Sequence, residues 1–76
     1  MYNAQKTAMR IKDQAAKKNI LIKDILAACG LSKNALSTMQ SRGSWLQANN
    51  LAKIADYLDV SVDYLLGRTN NPNAHK

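Results

Sequence analysis

Apolar residues recur along the chain at spacings of three and four, which is the period of an α-helix. Near the N-terminus they form one narrow stripe, which consists of Ala4, Ala8, Ile11 and Ala15. This stripe predicts a first helix over roughly 3–18. It ends around Asn19, a residue type that tolerates the left-handed conformation at a helix end. Long alternation of apolar and polar residues is not found, so no strand is predicted.

Two shorter apolar patterns follow, and Gly30 separates them. The first predicts a helix over 22–29 that stops at the glycine, with Cys29 on its apolar face. The second predicts a helix over about 33–41, for which Ser32 is the candidate N-cap. Glycine at this place can adopt positive φ in a tight turn at little energetic cost.

A fourth helix is predicted from the next apolar run. Ser44 and Gln47 fit the capping box S-x-x-Q, so the helix begins between 45 and 49. Its apolar residues keep the spacing i, i+3, i+4, i+7 and are Leu51, Ile54, Ala55 and Leu58.

A short last helix is predicted over 62–66, capped by Ser61 and stopped by Gly67. The chain is therefore predicted to be an all-α domain of five helices that spans 1–69. The polar tail, 70–76, is expected to be disordered.

Composition narrows the functional classes. The 76 residues carry 11 Lys+Arg against 5 Asp+Glu, a net charge of +6, and this length allows one small domain with a small core. One Cys and one His exclude an internal disulfide and a structural zinc site, so no cofactor is expected. Apolar runs too short for a membrane span and an N-terminus without a signal-peptide pattern predict a cytoplasmic protein. The positive charge favours attraction to nucleic acid.

The second helix, Gly30 and the third helix together have the sequence signature of a helix-turn-helix, in which a short turn containing Gly joins two helices. A helix N-terminus offers unpaired N–H groups and the positive end of the helix dipole to an anion. The first exposed side chains of the third helix are then placed to meet base edges in the major groove of DNA.

Two blocks of the sequence match the pattern of one family of regulators. The block 28–37, ACGLSKNALS, is similar to xLGVSxxTIS, and the block 50–67, NLAKIADYLDVSVDYLLG, is similar to TLxKIAxxLGVSxDxLLG. From 11 to 69 the chain resembles the Cro/C1-type repressor helix-turn-helix family of phage and bacteria, the xenobiotic-response-element type. The resemblance implies a five-helix lambda-repressor-like fold. It also implies sequence-specific binding of double-stranded operator DNA as a homodimeric transcriptional regulator.

The resemblance also implies which residues contact DNA. The base-contacting positions fall around the start of the third helix, on Ser32, Lys33, Asn34, Ser37 and Thr38. The phosphate-contacting positions fall on Ile22 at the start of the second helix and on Ser41, Arg42 and Gly43 after the third. Lys23 is a further candidate for a phosphate contact, because the start of the second helix should approach the backbone. These residue types suit the chemistry, because Lys donates to guanine and Asn pairs bidentately with adenine.

Several positions depart from the family pattern. Ile22 stands where a Gln usually contacts phosphate, and Leu21 replaces the capping residue before it. Gln40 replaces an acidic residue late in the third helix, and Ala15 stands at the position of its basic partner, so their ion pair is expected to be missing. Asp59 replaces the glycine that ends the fourth helix.

Other interpretations of single residues stay open at the level of sequence. Trp45 can cover the core, contact a partner or stack near DNA. Tyr57 and Tyr64 suit either a dimer contact or a half-buried position with the hydroxyl in water. A basic stripe on the first helix, formed by Lys6, Arg10 and Lys17, suits either an aid to solubility or a DNA surface, and solubility is the favoured interpretation.

The alternative function is a protein-interaction module of the same fold, antirepressor-like or antitoxin-like, with weak or no DNA binding. The lost Gln at Ile22 and the Trp45 loop favour it. RNA binding is disfavoured because aromatic residues do not alternate with basic ones. An enzyme is not expected, because the sequence lacks a nucleophile–base set, a P-loop or a metal cluster.

Overall fold

A computed structural model describes residues 2–73 of the chain. Its five helices are α1 (Ala4–Lys17), α2 (Ile22–Ala28), α3 (Ala35–Arg42), α4 (Ala48–Leu58) and α5 (Val62–Leu66). No strand forms within residues 2–73, so the prediction of an all-α chain with five helices is confirmed.

The core lies between α1 and the helices that pack around it. α1 packs against α3 and α5 and also contacts α4, whereas α2 packs on α4. Every helix contributes at least one fully buried side chain, namely Ile11, Ile25, Leu36, Met39, Ile54, Leu58 and Leu65. Burying each of these side chains is favourable by about 1.5–3 kcal/mol. The predicted apolar faces of α1 and α4 are therefore confirmed.

The helix ends follow from residues that accept a left-handed backbone. Asn19 ends α1 with a φ of 57°, and the N–H of Ile20 donates to the carbonyl of Ala15 at 2.8 Å. Asp59 does the same for α4, with a φ of 58°, although glycine is the usual residue there. Asn and Asp tolerate this conformation because their short polar side chains bond locally. The predicted end of α1 is confirmed.

The predicted start of α3 is wrong by about half a turn. Ser32 was expected to cap a helix beginning at 33, but its hydroxyl makes no capping bond and α3 begins at Ala35. Instead the carbonyl of Ser32 accepts from the N–H of Ala35 at 3.1 Å. This i to i+3 bond closes one tight turn through Lys33 and Asn34 ahead of the helix. Both residues therefore lie in that turn and not in the first turn of α3.

The predicted capping box at the start of α4 is also wrong. Gln47 is the N-cap residue and makes no side-chain capping bond, and Ser44 lies in the loop before it. The helix begins at Ala48, inside the predicted interval. Leu46 and Leu51 occupy the two positions of a hydrophobic staple around the N-cap, and both belong to the core or pack against it. Apolar packing therefore sets this helix start.

The predicted start of α5 is confirmed. The segment after α5 makes a backbone hydrogen bond to Ser61 that the sequence did not predict. The Ser61 hydroxyl accepts from the N–H of Tyr64 at 3.0 Å, and Gly67 ends the helix with a φ of 84°. The N–H of Ser61 donates to the carbonyl of Pro72 at 2.7 Å. This bond holds Pro72 against the start of α5. The expected disorder of the tail stays a prediction, and 74–76, with His75, lie outside the described residues.

Candidate nucleic-acid interface

α3 has two unlike sides. Leu36 and Met39 are at most 1% exposed and belong to the core, while Asn34, Ser37 and Ser41 are exposed. These three polar positions, with the half-buried Thr38, have the spacing i, i+3, i+4, i+7, which places them along one face. The helix therefore offers a continuous stripe of hydrogen-bonding side chains to a partner.

The turn before α3 extends this polar stripe. Ser32 and Lys33 are exposed there. The Asn34 side chain makes no capping bond, although Asn34 is the N-cap residue of α3. The backbone carbonyl of Asn34 accepts from the N–H of Thr38 at 2.9 Å. The exposed side-chain amide bonds to no described residue, so it is available to an external group.

The candidate phosphate contacts carry cations without an acidic partner among residues 2–73. The ion pairs of that part of the chain are Lys17 with Asp13 at 3.1 Å and Arg68 with Asp63 at 3.6 Å. Lys23 on α2 and Arg42 in the last turn of α3 are exposed and belong to neither pair. Free cations on an exposed surface are what attraction to phosphate requires.

Gly43 forms the turn after α3, and its backbone N–H is already used within the chain. It has a φ of 68°, and its N–H donates to the carbonyl of Met39 at 3.0 Å. A phosphate group near this turn would therefore meet the Ser41 hydroxyl and the Arg42 guanidinium. Of the predicted site residues, all but Lys23 lie on α3 or directly beside it in the chain.

The residues that depart from the family pattern differ in how far they are exposed. Ile22 is half-buried and packs against the core, whereas Leu21 is 56% exposed. Trp45 is 44% exposed and lies outside the core cluster, so the interpretation of Trp45 as a core lid is not supported. Tyr57 is exposed, and the Tyr64 hydroxyl accepts from the Gln14 amide at 3.2 Å rather than lying free in water.

A contact beneath this surface was missed by the sequence reasoning. The Lys12 ammonium group donates to the side-chain carbonyl of Gln40, which joins α1 to α3. In the family pattern the partner of the residue at position 40 stands at Ala15, which follows Lys12 by about one helical turn on the same side of α1. The three-residue spacing between Lys12 and Ala15 could therefore have predicted the contact between Lys12 and Gln40.

The remaining chemistry of the described residues is limited. Burial raises the pKa of the Cys29 thiol, and the charge of Lys53 opposes this shift more weakly. Among residues 2–73, no group of three His, Cys, Asp or Glu side chains is placed to hold a metal ion. In the same part of the chain, no helix combines the length and apolar character needed to cross a membrane.

Comparison of the chain with protein-family models, with curated proteins and with solved structures finds no match. The function of the α3 surface therefore has to be inferred from its own residues.

Proposed function

We propose that this protein is a non-enzymatic, sequence-specific binder of double-stranded DNA that regulates transcription, with α3 in the major groove. One observation carries the proposal: α3 has a buried apolar side and an exposed stripe of Asn34, Ser37 and Ser41 that no other described residue covers. The two sequence blocks that resemble the Cro/C1-type family support the same function and a lambda-repressor-like helix-turn-helix fold.

The base-reading role falls on the turn before α3 and on the first turns of the helix. The free amide of Asn34 can accept from adenine N6 and donate to N7, and the ammonium group of Lys33 can donate to guanine O6 and N7. Ser37 is exposed for a similar role, while the half-buried Thr38 has less of its side chain to offer. Uncharged hydrogen-bonding groups suit this role because they discriminate between bases rather than only attracting phosphate.

Positioning on the backbone falls on cations and hydroxyl groups at both sides of the reading surface. Lys23 on α2 and Arg42 at the end of α3 are exposed cations that form no ion pair within the described part of the chain. The Ser41 hydroxyl lies next to Arg42 in the chain. Contacts of this kind fix the register of a protein on duplex DNA without reading the sequence.

Regulators that resemble this chain act as dimers, and two copies would read half-sites about 34 Å apart along the DNA. The proposal therefore includes a dimer. It also includes the cytoplasmic location that the sequence predicts. The exposed Tyr57 on α4 is a candidate for the contact between copies.

One observation favours the alternative of a protein-interaction module. Leu21 and Trp45 are large, exposed apolar side chains that precede and follow the helix-turn-helix segment. Such side chains at a surface favour protein contacts more than contacts with phosphate.

Selection of duplexes from a random pool by the purified full chain tests the proposal. We expect an enriched motif with two-fold symmetry, and binding that weakens with salt by about 0.9 in log K per log unit for each phosphate neutralised. Failure of the folded protein to enrich any motif would exclude sequence-specific DNA binding. Binding to a protein that co-purifies with the chain, without any DNA binding, would support the interaction module instead.

A further inference from the structure

A basic groove lies between the N-terminal turns of α1 and the C-terminal end of α5. It has a volume of about 330 Å³ and is lined by Tyr2, Asn3, Lys6, Arg10, Leu66 and Gly67. A second concavity of about 360 Å³ involves Lys6 and Arg10 again and extends to Met9. None of these residues belongs to the proposed DNA-binding surface, so the groove needs an explanation of its own.

Two cations face this groove, and neither has an acidic partner among the described residues. Lys6 and Arg10 are four residues apart on α1, so their side chains share one face and repel each other. The nearest acid on the helix, Asp13, pairs with Lys17 at 3.1 Å. Neither Lys6 nor Arg10 forms an ion pair within residues 2–73.

The guanidinium group of Arg10 is held in place by the end of α5. A Cβ atom added to Gly67 would lie 3.0 Å from both terminal nitrogens of Arg10, so the guanidinium packs directly against the glycine backbone. Arg10 is half-buried as a result, while Lys6 remains exposed. Gly67 therefore ends α5 at positive φ and also leaves the space that the guanidinium occupies.

We propose that this groove binds a small phosphate monoester, with the phosphate between Lys6 and Arg10. A phosphate monoester carries a charge of about −1.5 to −2 near neutral pH, which matches two cations better than a single carboxylate does. Guanidinium presents a planar fork of donors that binds two phosphate oxygens at once.

The rest of the groove suits an organic group attached to the phosphate. Tyr2 is 54% exposed at its edge and offers an aromatic face, and Leu66 adds apolar surface. The volume lies at the small end of the range of ligand pockets, about 300–1,000 Å³. The groove therefore suits a ligand of the size of a nucleoside monophosphate, with its ring against Tyr2.

Titrations of the ¹⁵N-labelled full chain with adenosine monophosphate, adenosine and inorganic phosphate test this inference by NMR. We expect adenosine monophosphate to cause saturable shifts at the amides of Lys6, Arg10 and Gly67. Inorganic phosphate should shift the same amides with at least tenfold weaker affinity, and adenosine should have little effect. In Tyr2→Ala the affinity for adenosine monophosphate should fall toward that for inorganic phosphate.

Matched variants separate a site from general attraction to positive charge. Lys6→Gln/Arg10→Gln should weaken the binding of adenosine monophosphate at least tenfold, and the single variant Lys6→Gln should weaken it in part. Lys53→Gln removes an exposed cation on α4, outside both proposed surfaces, and should leave the affinity unchanged, in contrast to Lys6→Gln. Equal weakening in Lys6→Gln and Lys53→Gln, or shifts that never saturate, would overturn the proposal. So would saturation of these amides by duplex DNA but not by adenosine monophosphate.

Discussion

The Lys12 ammonium group on α1 donates a hydrogen bond to the Gln40 side chain on α3, beside the fully buried Met39. Both partners are half-buried, and the bond lies at the interface where α3 packs on α1. A cation that bonds to a neutral amide gains less than one that bonds to a carboxylate. The contact therefore holds the proposed reading helix in place with a weaker polar bond than an ion pair would give.

Gln40→Glu should stabilise the protein, because it converts this bond into an ion pair. We expect a gain of about 0.5–1 kcal/mol in the free energy of unfolding, as is typical of a partly exposed pair. Urea unfolding followed by circular dichroism measures it, and the gain should shrink in 1 M salt.

The same substitution in a Lys12→Met background is the control. Without the ammonium group the new carboxylate has no partner at this interface, so the gain should vanish or reverse. An equal gain in both backgrounds would show that the new carboxylate acts through a different cation.

Local chemistry made the helix ends and the apolar faces predictable. Asn19 and Gly67 stop their helices through backbone preferences that depend on a few neighbouring residues. The predicted capping by Ser32 and Ser44 is wrong, because a side-chain cap is only one way to begin a helix. A tight i to i+3 turn begins α3, and apolar packing around Leu46 sets the start of α4.

Contacts between distant parts of the chain could not be predicted in this way. The Lys18 ammonium group donates to the carbonyl of Leu58 and so caps α4 from the end of α1. The bond between Ser61 and Pro72 and the groove around Arg10 also depend on how the helices pack. Local pattern predicts the candidate base-reading residues, of which four are exposed and Thr38 is half-buried. That the Asn34 side chain makes no capping bond could not be predicted, because it depends on the tight turn before α3.

Thr7→Val should stabilise the protein. Thr7 is fully buried in α1, and its hydroxyl has no hydrogen-bond partner among the described residues. A buried polar group without a partner costs about 1–3 kcal/mol, and Val has nearly the same shape without that group. We expect a gain of about 1 kcal/mol in thermal or urea unfolding. Thr7→Ser keeps the hydroxyl and removes the methyl group, so it should destabilise; a loss of stability in Thr7→Val would mean that the hydroxyl is satisfied.

Deletion of 70–76 should destabilise α5. It removes the Pro72 carbonyl and leaves the N–H of the buried Ser61 without its acceptor. The expected loss is about 0.5–1.5 kcal/mol, the usual contribution of one hydrogen bond. Deletion of 74–76 keeps Pro72 and serves as the control. The difference in thermal midpoint between the two deletions measures the bond, and identical midpoints would show that it contributes nothing.

Cys29 should react slowly with thiol reagents in the folded protein. Burial raises the pKa of this thiol above its value in the unfolded chain, which lowers the thiolate fraction near neutral pH. The stabilisation linked to the neutral thiol is complete below the unfolded pKa and is lost as pH rises through the folded pKa. Reaction with a chromogenic disulfide should speed up strongly in urea. Compared with Cys29→Ala, the chain should lose more stability in alkaline solution.

Base reading and phosphate contact are assigned to different residues, so substitutions in the two groups should cause two different kinds of DNA-binding defect. Asn34→Ala removes the free amide before α3 and should cost about 1–3 kcal/mol on the selected duplex. It should also relax the base preference at one position of each half-site. Lys23→Gln should weaken binding to all duplexes alike and reduce the salt slope by about 1. Fluorescence anisotropy at several salt concentrations measures both effects.

Lys53→Gln is the control for the charge lost in these measurements, because Lys53 is exposed on α4 and lies outside the proposed surface. It should change the affinity less than Lys23→Gln does and should leave the base preference intact. If Asn34→Ala and Lys53→Gln behave alike, the turn before α3 does not read bases. If the salt slope is the same in Lys23→Gln as in the unaltered chain, the start of α2 does not contact phosphate. The two assignments can therefore fail separately, because base contacts change the sequence preference and phosphate contacts change the response to salt.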